Sequence, residues 1–123
     1  MKEINRSETM KELTLDQTWV LCLRMWKWIS RQCLKKGHEP VWRLKEIWLR
    51  QNGYAECIAS NCFFCHWAKN SKRKVNFYLC EKCPGALVDP KFRCSSRLDI
   101  NYRNKPRAFY KEIFRLNKIR EDQ

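Results

Sequence analysis

The stretch that decides the fold runs from Cys62 to Cys83: Cys62-Phe63-Phe64-Cys65, a basic loop, then Cys80-Glu81-Lys82-Cys83. As a spacing it is C-x2-C-x14-C-x2-C. Each pair puts two sulfurs on one tight turn, and the loop lets the second turn fold back opposite the first. Four thiolates then surround one ion at about 2.3 Å, the tetrahedral geometry of structural zinc. The expected ligands are four of Cys62, Cys65, Cys80, Cys83 and Cys94, with the two close pairs the simplest set and Cys94 the alternate. Cys57 reads as a small buried apolar residue, and His66 as a hydrogen-bonded structural histidine.

Other uses of these cysteines fit less well. Eight cysteines would allow disulfides, but residues 1–16 are polar and charged, with no apolar core or small-residue cleavage site. A chain that stays in a reducing compartment uses closely spaced cysteines for metal more often than for cross-links. Cys62-Phe63-Phe64-Cys65-His66 also matches the C-x-x-C-H pattern of covalent haem attachment, which leaves the Cys80/Cys83 pair without a role. An iron–sulfur cluster uses the same thiolates and stands behind zinc.

Upstream, Thr14-Leu15-Asp16-Gln17 has the form of a capping box, with Asp16 at the positive end of the helix dipole. Leu15, Trp19, Cys22, Trp26, Ile29 and Cys33 follow at spacings of 4, 3, 4, 3 and 4, an unbroken helical stripe over about 15–36 that Gly37 stops. Arg24, Lys27, Arg31 and Lys35 lie largely off that stripe. Pro40 opens a second helix through Val41, Leu44, Ile47, Trp48 and Leu49 to Asn52-Gly53. The three or four residues between the helices predict an antiparallel hairpin. A DNA-reading helix-turn-helix is the alternative, but residues 38–61 balance three basic against three acidic side chains, so the pair reads as scaffold.

Val75-Asn76-Phe77-Tyr78-Leu79 alternates as a strand leading into the second knuckle, and Cys83-Pro84-Gly85 reads as its turn. Pro106 introduces a last helix with Phe109, Ile113, Leu116 and Arg120 on one line and Tyr110 and Phe114 beside it. The fold class expected is α+β, mostly α: a helical hairpin, a four-cysteine zinc-knuckle or ribbon-like module, and a C-terminal helix. One domain accommodates a loose lead-in at 1–13, the hairpin at 14–53, the zinc module at 54–96 and the closing helix at 97–123.

The formal net charge is +13, and four zinc-bound thiolates with their ion lower it to about +11. Such a balance selects anionic partners, either nucleic acid or an acidic protein surface. Lys69, Lys72, Arg73 and Lys74 form a cationic tip between the cysteine pairs. Arg107, Lys111, Arg115 and Lys118 form a basic stripe on the last helix. Both are candidate contacts to phosphates or a partner, and both would also serve as plain solvated surface. No run approaches the about 18 apolar residues of a membrane span, and nothing predicts a small-molecule substrate.

No catalytic site is expected. The two histidines, His38 and His66, are too few for a His-rich metal centre. A zinc deaminase needs H-x-E and later P-C-x-x-C, whereas Pro84 follows Cys83 instead of preceding Cys80. No nucleophile elbow, P-loop or dinucleotide fingerprint occurs. Four thiolates would also leave the metal no open position for water, so its role is structural.

The cysteine framework Cys62/Cys65, Cys80/Cys83-Pro84 and Cys94 resembles that of small cysteine-rich proteins of tailed bacteriophages. Pro106 with Phe109-Tyr110, Leu116-Asn117-Lys118, and the upstream Trp48-Leu49 and Asn52-Gly53 extend the likeness over about residues 15–120. The resemblance implies expression in the cytoplasm of a bacterial host during infection. It also implies a second class of function, a phage inhibitor or counter-defence protein that occupies an acidic or nucleic-acid-binding surface of a host protein. In that reading Phe63-Phe64 and His66-Trp67 are anchor candidates, with core packing the competing role.

Overall fold

A computed structural model describes residues 13–54, 62–70, 83–92 and 102–123, with the backbone alone for 69 and 70. The elements are α1 (Leu15–Gln32), α2 (Val41–Gln51), α3 (Phe63–Asn70), α4 (Pro84–Val88) and α5 (Pro106–Glu121). Residues 1–12 of the expected lead-in and the expected strand at 75–79 lie outside the described residues.

The start of α1 is the capping box read from the sequence. Thr14 Oγ1 accepts from the Gln17 N–H at 3.0 Å, and Gln17 Oε1 accepts from the Thr14 N–H at 2.9 Å. The helix ends four residues earlier than its apolar stripe suggests. Turn bonds from Leu34 N–H to Arg31 O and Lys35 N–H to Gln32 O tighten the chain, and Gly37 takes φ 71°. The link to α2 is therefore 33–40, longer than expected, and the two helices still pack on each other.

Helix α2 stops in a Schellman motif. Tyr54 N–H reaches Leu49 O at 2.7 Å, Gly53 N–H reaches Arg50 O at 3.3 Å, and Gly53 holds φ 82°, a left-handed value that favours glycine. The Tyr54 ring then stacks on Trp48 at 6.3 Å, the apolar contact that accompanies such a stop.

Helix α1 is central, touching α2, α3 and α5, while α4 bridges α3 and α5. Helices α1 and α5 run antiparallel. Asp16 at the start of α1 pairs with Arg120 at the end of α5, while Trp26 further along α1 meets Phe109 near the start of α5 at 4.8 Å. The core is aromatic and continuous. Trp19 meets Phe64 edge-on at 4.7 Å, Phe64 meets Phe92 at 6.3 Å, Phe92 meets Phe109 at 5.9 Å, and Phe63 meets Trp48 at 5.8 Å. Such pairs add about 0.5–1.5 kcal/mol each beyond the area they bury. Met25, Ile29, Leu49, Ile113 and Leu116 fill the space between them.

The expected α+β class is overturned. Every regular element among the described residues is a helix. Cys62 to Cys65 does not form a ribbon turn but leads directly into α3, because Phe63, Phe64 and Ala68 are all buried on a helical face. Cys83-Pro84-Gly85 is likewise not a plain turn. Pro84 stands at the first position of α4, where its missing N–H costs nothing and its fixed φ suits the helix.

Candidate metal centre and basic face

Cys62 stands immediately before α3 and Cys65 lies in its first turn. The Cys65 N–H donates to Cys62 Sγ at 3.5 Å, so the sulfur takes up one of the donors that a helix start leaves unsatisfied. The Cys62 thiol is held down to about 6, first by its hydrogen bond with the Cys65 side chain. Burial opposes this, while the Lys45 charge and the N–H groups of Cys65 and Phe64 add to the lowering. A thiol so placed is ionised at neutral pH, the state in which sulfur binds metal.

Cys83 occupies the N-cap position of α4, which contacts α3, and packs, partly buried, against the core; its side chain makes no capping hydrogen bond. His66 is buried on α3, and its N–H bonds to Cys62 O at 2.9 Å. Cys80, Cys94 and Cys57 lie outside the described residues. Among the described residues no three cysteine, histidine or acidic side chains gather closely enough to hold a metal ion. A complete set of four therefore requires the segments that carry Cys80 and Cys94.

Lys45 is a site residue that the sequence reading passed over. It is 8% exposed on α2, its ammonium 4.8 Å from the centre of the Tyr102 ring, and its charge reaches Cys62. The available signal was its position. Val41, Leu44, Lys45, Trp48 and Leu49 fall on one helical face, so a lysine stands among core positions.

The cationic candidates divide in two. Lys72, Arg73 and Lys74 lie outside the described residues, and Lys69 falls in the last turn of α3. Arg107, Lys111, Arg115 and Lys118 are all exposed on α5. Arg115 is occupied by acids, bonded to Glu112 at 2.9 and 2.7 Å and 3.9 Å from Asp89, and Glu112 foremost raises its pKa. Arg107, Lys111 and Lys118 have no ion pair among the described residues.

The outer face of α1 adds a second line, Arg24, Lys27 and Arg31, all exposed and likewise without an ion pair among the described residues. No helix among the described residues is long and apolar enough to cross a membrane. No protein-family model, curated protein or solved structure matches the chain.

Proposed function

We propose that this is a non-catalytic, zinc-stabilised basic protein that contacts nucleic-acid phosphates, working in the bacterial cytoplasm as a phage product, the setting its cysteine framework resembles. The observation that carries the binding role is the segregation of charge. Glu46, Glu112 and Asp16 pair with Arg43, Arg115 and Arg120, whereas the outer lines of α1 and α5 keep Arg24, Lys27, Arg31, Arg107, Lys111 and Lys118 without an ion pair among the described residues. Unneutralised cations in rows are what phosphate contact and counterion release require.

Zinc is supported by the spacing of the two cysteine pairs and by the ionised Cys62 beside Cys65. Four thiolates around Zn2+ carry a net negative charge, and the buried Lys45 is placed to offset it. A zinc ion held by Cys62 and Cys65 would be structural, tying the start of α3 to the segments that carry Cys80 and Cys94.

One observation favours the other reading, a host-protein inhibitor. Trp42 on α2 is 63% exposed, an anchor type common in protein interfaces.

The deciding experiment is a pull-down of the tagged full chain from bacterial lysate with and without nuclease, after elemental analysis for zinc. Loss of all partners on nuclease treatment, with steeply salt-dependent binding to bare nucleic acid, supports phosphate contact. One host protein retained after nuclease transfers the function to inhibition. Cys80→Ser should release zinc and lower the unfolding midpoint; a variant that keeps both rejects the ligand set.

A further inference from the structure

The outermost line of α5 reads Arg107, Lys111, Phe114 and Lys118, at spacings of 4, 3 and 4. A solvated basic face accounts for the cations but not for a phenylalanine among them. Phe114 is 46% exposed, while the same helix buries Phe109, Ile113 and Leu116 on its opposite side. The ring is therefore not an overflow of the core. Tyr110, one turn earlier and half-buried against the core, lies 6.1 Å from it at a tilt of 59° and supports the Phe114 ring from one side. Lys118, one turn later, holds its ammonium 5.4 Å from the ring centre.

We infer that α5 is a stacking platform for single-stranded nucleic acid, with Phe114 receiving an unpaired base and Arg107, Lys111 and Lys118 the flanking phosphates. The chemistry selects this ligand. An exposed π-face accepts any base whose own faces are free, a condition that a strand meets and a duplex does not. Cations on both sides of the ring match the alternation of base and phosphate along one strand. From Arg107 to Lys118 the helix rises about 16 Å, a length that follows several phosphates. In the free protein the Lys118 ammonium rests over Phe114; a base taking that place releases it to a phosphate.

This inference rests on the phosphate-contact reading above and narrows it, so the test must separate the two. The full chain with zinc bound is titrated into a labelled random-sequence oligonucleotide, single-stranded and as its duplex. Phe114→Ala, Phe114→Trp and the double variant Lys111→Ala/Lys118→Ala are compared with wild type. The expected result is a preference for the single strand, lost by about tenfold or more in Phe114→Ala and kept in Phe114→Trp, with duplex binding and the thermal midpoint unchanged. The double variant should weaken both ligands and flatten the salt dependence.

Equal single-strand binding by Phe114→Ala and wild type, or equal wild-type binding of strand and duplex, overturns the stacking platform. Phosphate contact then stands if the double variant still weakens binding. A Phe114→Ala protein that loses both ligands together with thermal stability marks the ring as structural and also overturns the platform. Wild type that binds neither ligand at about 0.15 M salt overturns both readings and leaves the face to a protein partner.

Discussion

A methyl group at position 85 would stand 2.5 Å from Cδ2 and 2.6 Å from Cε2 of Phe92. That ring is 1% exposed and fixed between Phe64 and Phe109, so it has little room to move. Gly85→Ala gains helix propensity, at most about 1 kcal/mol, and α4 is only five residues long. The overpacking term, about 1–3 kcal/mol, is larger. The variant should therefore unfold at lower denaturant with an unchanged slope, and a rise in stability would show that the ring yields freely. Cys62 supports a second prediction of the same scale. Its thiol is lowered to about 6, first by the hydrogen bond with the Cys65 side chain, while burial pushes the Cys33 thiol up. Alkylation at neutral pH, read by peptide mass spectrometry, should modify Cys62 before Cys33, with a rate that rises through a midpoint of about 6. Lys45→Met should move that midpoint upward. Cys33 reacting first would contradict the assignment of charge around α3.

The long helices were legible because their signals are local. The 4, 3, 4 spacing of apolar residues, the Thr14 box, the Asn52-Gly53 stop and Pro106 each act within a turn or two of chain, and α1, α2 and α5 form where those signals lie. The centre of the chain carries two overlapping patterns, the spacing of its cysteines and a helical one. Phe63, Phe64 and Ala68 also sit at helical spacing, and packing against Trp19, Trp48 and Phe92 decided between helix and ribbon turn. Pro84 is equally at home in a turn and at a helix start, so tertiary contact settled it. Of the candidate site, the sequence showed the Cys62/Cys65 pair and the α5 cations. Lys45 stands on the apolar face of α2, but its contact with Tyr102, far along the chain, is tertiary and has no local signal. A prediction follows for the element whose start was read most directly. Thr14 is exposed, so Thr14→Ala removes a cap without opening a cavity. The Gln17 N–H loses its acceptor, Thr14 Oγ1, at the start of the central helix, at a cost of about 1 kcal/mol. Equilibrium unfolding in urea measures it, and Thr14→Ser should recover most of the loss. An unchanged midpoint in the alanine variant would mean that α1 is held by packing alone.

At the scale of the whole molecule, a formal charge of +13 acts on fold and binding in opposite directions. The ion pairs among the described residues, Arg43–Glu46, Arg115–Glu112, Arg115–Asp89 and Arg120–Asp16, each have at least one partner well exposed. Each such pair contributes about 0–1 kcal/mol, and salt removes part of that. Against them stand 26 basic side chains facing 13 acidic ones, whose mutual repulsion penalises the compact state. Raising ionic strength from about 0.01 M to about 0.15 M shortens the screening length from about 30 Å to about 8 Å. Helix-to-helix repulsion between the α1 and α5 lines falls within that range, whereas contacts inside an ion pair are shorter and less affected. Repulsion should therefore be relieved more than the pairs are weakened. The thermal midpoint of the protein is expected to rise over this salt range, while its affinity for an oligonucleotide falls. Scanning calorimetry and anisotropy on one preparation measure both. A midpoint that falls together with affinity would mean that the acids hold the fold more strongly than the unpaired cations oppose it, and that the bare lines on α1 and α5 do not store the repulsion on which phosphate binding is proposed to draw.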